Sequence, residues 1–229
     1  MTVNYQEMPP TVDNWRPYVE NAKSAGVQVL GFQGAPATFS AFLKTAADVG
    51  WFPKWVVINS NNYDPSLVSL SGTALDQLAT QGGSDGKGGG NVIMSSPSYP
   101  FELASQNPAT QLYINNLNQY VHGAKPKQLG VYSTSAWLLF AESAKACGSN
   151  LTRTCVVDHA GATKNWTGGG LHAPSQPGNA SSPVNECFTL LQATPTGFTV
   201  NKTVTQPNNG IYNCSPANQI NLPGFPPKS

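Results

Sequence analysis

The feature that most constrains the fold is the alternation of short apolar runs with helical patterns over the first hundred residues. The runs are Val27–Phe32, Trp55–Asn59 and Asn91–Ser95, and a helix that ends at Gly50 is expected between the first two. Its apolar side chains recur at amphipathic spacing: Phe39, Phe42, Leu43 and Ala46. Apolar strands separated by helices indicate a parallel sheet covered on both faces. Because crossovers between parallel strands are right-handed, we predict an α/β fold with a doubly wound parallel-sheet lobe.

In the middle of the chain, helical patterns are no longer separated by strand patterns. Two helical patterns follow one another between about residues 107 and 147, with no strand pattern between them. The second is strongly apolar and carries Trp137, Leu138 and Phe140. These helices need a sheet to pack on, and the adjacent sequence encodes none. Strand patterns return from Glu186 to Val204 as a hairpin that turns near Pro195–Gly197.

The composition excludes several classes of protein. Charged residues make up 10% of the chain and the formal net charge is +1, against about 25% charged residues in ordinary globular domains. Near-neutral charge argues against nucleic-acid binding, which needs a dense Lys/Arg footprint. Disordered chains pair low hydrophobicity with high net charge, which this sequence lacks. No apolar run approaches the ~20 residues of a membrane span.

Cysteine usage indicates the compartment. The four cysteines lie in the C-terminal half: Cys147, Cys155, Cys187 and Cys214. They form no CxxC pair and match no zinc-finger spacing, so we expect no metal site. The economical interpretation is two local disulfides, Cys147–Cys155 and Cys187–Cys214, and the alternative is four buried free thiols. Disulfides would place the chain outside the cytoplasm. The first ten residues lack the basic and apolar segments of a signal peptide, so we expect an N-terminally truncated sequence.

The predicted sheet also locates a candidate binding site. Ligands of open parallel sheets bind beyond the carboxyl ends of the strands. That rule selects Phe32–Pro36, Asn59–Tyr63 and Ser95–Tyr99. The second of these loops is dense in short hydrogen-bonding side chains and adds the aromatic Tyr63, which suits a ligand held by neutral polar groups. The alternative is that Asn, Ser and Asp are there as ordinary turn formers and helix caps.

Catalysis finds little support in the sequence. Neither a GxSxG elbow nor an HExxH helix occurs, and the three histidines lie away from the predicted strand ends: His122, His159 and His172. The Gly-rich run Gln81–Gly90 is not a phosphate-binding loop, because Gln81 replaces the first Gly and Lys87 is followed by Gly88. We therefore expect no cofactor and no enzymatic activity, and a chain that binds a small molecule.

Two segments carry a resemblance to a known family. The stretch DNWRPYVENAKSAGVQVLGFQGAPATFSAFLKTAADVGW resembles the second lobe of type I periplasmic substrate-binding proteins of the Leu/Ile/Val (branched-chain amino-acid) ABC-transporter type. The segment GVYSTSAWLLFAESAKACGSNLTRTCVVDHAGATKNWTGGGLHAP resembles the family's return through its first lobe, in the form with two cysteines. The resemblance covers most of residues 5–215 and favours the disulfides over free thiols.

The resemblance implies a C-terminal fragment. Residues 1–95 and 184–229 would form the second lobe, the α/β ligand-binding lobe, and residues 96–183 an incomplete portion of the first lobe with the hinge crossings. Helices that lack their sheet would leave Trp137, Leu138 and Phe140 as an uncovered apolar patch.

The resemblance also implies the function and the contacts. The full-length protein would be the extracytoplasmic solute-binding subunit of an ABC importer, often a lipoprotein, delivering an amino acid, amide or related ligand held between two lobes to permease subunits. A sensing-receptor ectodomain of the same fold is the alternative, and an enzyme on a doubly wound sheet is a third. The matching ligand-binding positions are Phe32, Gln33, Gly34, Asn59, Ser60 and Asn61. Amino-acid binders of the family have a Gly-Pro-Glu-like turn whose acid meets the ligand ammonium. This chain has Asn-Ser-Asn-Asn there, with Asp64 as the nearby acid.

Overall fold

A computed structural model of the chain describes residues 5–9, 11–81, 92–178, 186–202 and 206–218. Its helices are α1 (Arg16–Ser24), α2 (Pro36–Asp48), α3 (Pro65–Ser71), α4 (Thr73–Gln81), α5 (Pro108–Tyr120), α6 (Gln128–Cys147) and α7 (Arg153–Ala162). Its strands are β1 (Val29–Phe32), β2 (Trp55–Ile58), β3 (Val92–Ser96), β4 (Cys187–Thr194), β5 (Gly197–Val200) and β6 (Asn213–Cys214). The predicted Gly-rich loop falls almost entirely outside the described residues.

The strands form one sheet with the order β1-β2-β3-β4-β5, and β6 pairs with β4. β1 and β2 are parallel, with Val29 opposite Trp55, and β2 and β3 are parallel as well. β4 and β5 form the antiparallel hairpin expected from the sequence, with Leu191 opposite Val200. The predicted α/β fold with a parallel sheet is confirmed.

Proline and glycine set the ends of the first helices. α1, α2 and α3 each carry a proline in the first turn, where its missing N–H is not needed and its fixed φ suits a helix. Gly26 and Gly50 follow α1 and α2 with φ of +65° and +62°, left-handed conformations that an L side chain rarely adopts. The predicted end of α2 at Gly50 is therefore confirmed.

An aromatic cluster holds α1 and α2 against β1. The ring of Phe32, at the end of β1, lies 5.0 Å from that of Phe39 and 5.3 Å from that of Phe42, and Trp15 closes the group. All four side chains are buried, and each contributes about 1.5–3 kcal/mol of transfer free energy by leaving water. β1 is thereby anchored at its carboxyl end, where the predicted binding loop begins.

Helices do not bury all strands of the sheet to the same extent. Val92, Ile93 and Met94 of β3 are buried, as expected for a strand packed on both faces. Val29 of β1 and Val57 of β2 are exposed, with 58% and 42% of their surfaces accessible. α2 contacts α1, α3 and α4, so these four helices form one layer. Among the described residues, β1 and β2 are therefore covered mainly on one face, and the expectation of helices on both faces was wrong for these two strands.

The chain divides into two compact units. The first comprises residues 1–95, 116–129 and 190–201, and the second comprises 96–115, 130–189 and 202–229. The first unit holds β1, β2, β5 and α1 to α4, and the second holds α7 and most of α6. The lobe boundaries implied by the resemblance stay a prediction.

Both expected disulfides are present, and none of the four cysteines is free. Cys147–Cys155 joins the end of α6 to the first turn of α7, across 8 residues of sequence. Cys187–Cys214 joins β4 to β6, across 27 residues. Each cross-link contributes about 2–4 kcal/mol of stability.

α6 carries an uncovered apolar surface, as the sequence predicted. The apolar α6 surface consists of Trp137, Leu138 and Phe140, which are exposed to 68%, 41% and 48%. The rings of Trp137 and Phe140 lie 5.6 Å apart, edge to face. Despite this apolar character, the described part of the chain contains no helix that meets the length and hydropathy needed to cross a bilayer.

The apolar α6 surface predicts that the 229-residue chain binds a hydrophobic fluorescent dye while folded. Replacing Trp137 and Phe140 with Gln should reduce the dye fluorescence by more than half, because exposed apolar area is what such dyes report. Unfolding free energy should change by no more than about 0.5 kcal/mol, since the side chains are mostly in solvent.

Val157→Gln is the matched control, because Val157 is an exposed apolar residue on α7. Its dye signal should remain close to that of the parent chain. A parent chain that gives no dye signal in its folded state would contradict the prediction.

Candidate functional site

The loops after β1 and β2 meet at one backbone carbonyl. The oxygen of Gly34, two residues beyond β1, accepts hydrogen bonds from Nδ2 of Asn59 at 3.3 Å and from Nδ2 of Asn62 at 3.0 Å. The carboxyl ends of parallel strands lie at the same edge of a sheet, which is why these two loops can reach each other. The structure thus joins two loops that the sequence selected separately.

The second loop is a short 3-10 turn, Ser60–Asn62. The N–H of Asn62 donates to the oxygen of Asn59 at 3.1 Å, and the N–H of Tyr63 to that of Ser60 at 2.9 Å. The oxygen of Tyr63 in turn accepts from the N–H of Gln128, the first residue of α6, at 3.1 Å. The loop is therefore held by backbone hydrogen bonds from within and by one from a neighbouring element.

Asn62 organises this loop from inside. Its side chain is fully buried, and besides Gly34 its Nδ2 donates to Oδ1 of Asn59 at 2.8 Å. Its own Oδ1 is buried and has no hydrogen-bond partner among the described residues. An unpaired buried acceptor is costly, so this oxygen is a place where a water molecule or a ligand donor would be stabilised.

The predicted ligand-binding residues fall into two groups. Gln33 and Asn61 are exposed, and Gly34, Asn59 and Ser60 are half-buried, so these five lie at or near the surface of the loops.

Phe32 and Tyr63 are buried instead. Phe32 belongs to the aromatic cluster, and the Tyr63 ring packs edge to face on Phe198 of β5 at 4.9 Å. The structure places these two aromatic side chains beneath the loops as support. Gly34 is required for this packing, because a Cβ there would lie 2.7 Å from the Phe32 ring.

Sequence reasoning missed Asn62. It stands beside Asn61 in an Asn-Ser-Asn-Asn run, and composition cannot tell which amide points inward. The signal that could have found it is its spacing of three residues from Asn59, which places both on one side of a 3-10 turn.

Both carboxylate oxygens of Asp64 interact with other groups of the protein. Its Oδ1 accepts from the N–H of Ser66 at 2.8 Å, capping α3, and its Oδ2 forms an ion pair with Nζ of Lys127 at 2.9 Å. Burial raises the pKa of this carboxyl, but the hydrogen bonds from Ser66 and Lys127 outweigh that effect and hold the pKa below its ordinary value. Both oxygens therefore already have partners.

The third predicted loop, apart from Ser95, belongs to the second unit. There the N–H of Tyr99 donates to the oxygen of Leu171 at 2.9 Å, and that of Ala173 to the oxygen of Pro97 at 2.8 Å. The loop after β3 is therefore tied to the segment around His172.

His172 forms a buried hydrogen-bond chain in the same unit. Its Nδ1 lies 2.7 Å from the oxygen of Ala173, which can only accept, so Nδ1 carries the proton and Nε2 accepts from Oγ of Ser135 at 2.7 Å. Nε1 of Trp166 donates to the same Oγ at 2.8 Å. Desolvation lowers the pKa of His172 despite the opposing bond to Ala173, so the neutral imidazole is favoured. Ser135, Trp166 and His172 line a mostly apolar cavity of about 270 Å³. Each polar side-chain atom of this hydrogen-bond chain has a partner, which is typical of a histidine with a structural role.

Comparison with known proteins gives a consistent result. Residues 2–197 match the sequence profile of a family described as periplasmic binding protein. No curated protein sequence matches the chain at a significant level.

Three solved structures illustrate the similarity in fold. A fatty acid ABC transporter substrate-binding protein from Thermomonospora curvata aligns with a TM-score of 0.69 at 14% identity, covering 92% of this chain and 49% of that one. A leucine-binding protein from Thermotoga maritima gives 0.62 at 14% identity, with 83% and 48% covered. A branched-chain amino acid ABC transporter protein from Thermus thermophilus with bound valine gives 0.56 at 17% identity, with 84% and 48% covered. The chain thus spans about half the length of each.

The position of Asn62 predicts a loss of stability on Asn62→Ala. The change removes the donor to Gly34 and Asn59 and leaves a buried gap, so the free energy of unfolding should fall by about 1–3 kcal/mol. Chemical denaturation monitored by tryptophan fluorescence measures it. Asn61→Ala, at the exposed neighbour, is the control and should stay within about 0.5 kcal/mol of the parent. Equal effects of the two changes would show that Asn62 does not hold the loop.

Because the Asp64 carboxylate caps α3 and pairs with Lys127, we predict that Asp64→Ala destabilises the fold in a pH-dependent way. At neutral pH the free energy of unfolding should fall by about 1–2 kcal/mol, the usual effect of removing a helix cap. Since the folded pKa is depressed, this contribution is complete above the ordinary value of 3.8 and is lost as pH falls through the folded value.

The gap between parent and Asp64→Ala should therefore close in strong acid, as measured by urea denaturation over a pH series. Asp158→Ala, at an exposed position of α7, serves as the control and should show no such gap. A gap that persists unchanged at the acid end would rule out the proposed role of the carboxylate.

Proposed function

Because this chain belongs to the periplasmic binding protein family, we propose that it is part of the solute-binding subunit of an ABC importer. The ligand is a small polar molecule, an amino acid, amide or related compound, and it contacts the loops that follow β1 and β2. The main support is the hydrogen bonding of Gly34 to Asn59 and Asn62, which joins the two loops into one surface.

The arrangement of side chains supports binding at this surface. Buried groups fix the backbone: Phe32 and Tyr63 pack below, and Asn62 is enclosed. Gln33 and Asn61 remain exposed and carry amide groups that can both donate and accept hydrogen bonds. A surface whose backbone is fixed before the ligand arrives loses less conformational entropy on binding.

The charge of the loops narrows the ligand chemistry. Between residues 33 and 35 and between 59 and 64, the one carboxylate is that of Asp64, and both of its oxygens are engaged. A ligand ammonium would have to displace Lys127 or the cap of α3 to reach it. These loops therefore favour the uncharged polar part of a ligand, such as a carboxamide or hydroxyl group. The similar structures are named with different ligands, a fatty acid for the Thermomonospora curvata protein and valine for the Thermus thermophilus protein.

The cellular setting follows from the same proposal. The family acts outside the cytoplasm, and the two disulfides suit an oxidising compartment. Permease subunits of an importer would be the partners, with a lipoprotein anchor in the full-length protein. Two of the similar proteins are named as binding proteins, and we propose the same role for this chain, with neither cofactor nor turnover.

The proposal is tested by ligand-induced stabilisation. The chain is melted in the presence of amino acids, their amides, polyols and fatty acids, and hits are measured by calorimetry. A ligand at 100 times its Kd should stabilise the folded state by about 2.7 kcal/mol. Carboxamides are expected to give larger shifts than amino acids with a free ammonium group.

Asn61→Ala and Gln33→Ala should weaken the best ligand at least about tenfold, a loss of about 1.4 kcal/mol. Asn116→Ala, an exposed asparagine on α5, is the matched control and should bind like the parent. Binding that survives both loop changes would place the ligand elsewhere, and a panel that gives no shift at all would refute the binding function of this chain.

A further inference from the structure

A cluster of three metal-ligating side chains lies in the second unit and shares no residue with the loops after β1 and β2. The Sγ atoms of Cys147 and Cys155 and a ring nitrogen of His159 all lie within 4.8 Å of one another. Cys147 is the last residue of α6, while Cys155 and His159 are four residues apart on α7. A spacing of four residues puts both side chains on the same face of a helix. Neither the family match nor the proposed function assigns a role to this cluster.

We propose that reduction of the Cys147–Cys155 disulfide turns this cluster into a zinc site, with two thiolates and His159 as ligands and a water molecule in the fourth position. Zn²⁺ prefers a tetrahedral set of sulfur and nitrogen donors. A disulfide sulfur is not such a donor, whereas a thiolate is. The redox state of one cystine therefore decides whether the site exists.

The chemical balance is simple. A low-molecular-weight dithiol supplies two electrons and two protons, which convert the disulfide to two thiols, and it becomes a cyclic disulfide itself. Zn²⁺ then replaces the two thiol protons, which pass to solvent, and a ring nitrogen of His159 contributes its lone pair. No other reactant is needed.

The geometry requires only small movements. With Zn–S distances of about 2.3 Å, two thiolates on one tetrahedral ion stand about 3.8 Å apart. The Cα atoms of the two cysteines are 6.1 Å apart, so rotation of the side chains can supply that separation without moving α6 or α7. His159 is exposed and Cys155 half-buried, which leaves a path for the ion and for water.

Cys155 has a fixed place in the first turn of α7. Cys155 is the third residue of that helix, and its N–H donates to Oγ1 of the capping Thr152 at 3.2 Å. Cys187 and Cys214 belong to no comparable group of ligands among the described residues. The cysteine spacing alone predicted no metal site, because it contains no CxxC pair and no zinc-finger spacing. The cluster arises because the fold brings the end of α6 next to α7.

The metal ion would link α6 to α7, as the disulfide does. In the oxidised chain the covalent bond ties α6 to α7, and in the reduced chain the ion would tie the same residues together. Reduction without metal should therefore loosen α7, and Zn²⁺ should restore its stability.

The test uses the full 229-residue chain with the Cys187→Ser and Cys214→Ser changes, so that the remaining thiols are those of the cluster. Oxidised and phosphine-reduced samples are titrated anaerobically with Co²⁺, whose thiolate charge-transfer and tetrahedral ligand-field bands report coordination. We expect one Co²⁺ per chain in the reduced sample, displaced by one Zn²⁺, and no such bands in the oxidised sample. If the double variant fails to fold by circular dichroism, the parent chain is used, and mass spectrometry of alkylated peptides identifies the reduced pair.

His159→Ala should weaken Co²⁺ binding at least about tenfold, which corresponds to about 1.4 kcal/mol. His122→Ala removes another exposed histidine and should leave the titration unchanged. Absence of coordination in the reduced chain, equal affinity in the His159→Ala variant, or identical bands in the oxidised chain would each overturn the proposal.

Discussion

Parallel pairing of β1, β2 and β3 is the constraint from which the rest of the described structure follows. Parallel neighbours cannot be joined by a tight turn, so each connection must cross over the sheet, and α2, α3 and α4 are those crossovers. The same geometry brings the carboxyl ends of the strands to one edge. The contact of Gly34 with Asn59 and Asn62 is a direct result, since residues 25 and 28 positions apart in sequence become neighbours in space.

The sequence predicted the features that depend on local periodicity. The three core strands and the end of α2 at Gly50 were expected, because apolar spacing and Gly chemistry act within a few residues. The exposure of Trp137 was expected for another reason, since the resemblance implied helices without the sheet that they cover. The two cystines were also expected, although the alternative of free thiols stayed open on the residues alone. Boundaries shifted slightly, with β1 beginning at Val29 two residues later than its apolar run.

The sequence could not predict what depends on contacts between distant segments. The burial of Asn62 is set by the carbonyl of Gly34, and the pairing of Asp64 by Lys127, 63 positions away. Phe32 and Tyr63 were expected to meet a ligand from their places at a strand end and in the loop beyond one, and that contact stays a prediction. The sequence could not show that both rings pack on other aromatic side chains. Exposure of Val29 and Val57 likewise reflects which face receives helices, a property of the assembled layers.

The path of the chain has a consequence for biosynthesis. The first compact unit is completed only by residues 190–201, which supply part of β4 and all of β5. Until those residues leave the ribosome, the edge of β3 that pairs with β4 has no neighbour, although β1 and β2 are already made. An open strand edge is a template for pairing with other chains. The order of the strands therefore leaves that edge of β3 open from the synthesis of Ser96 to that of β4. The nascent polypeptide must either delay the folding of β3 or have this edge shielded by a chaperone during that interval.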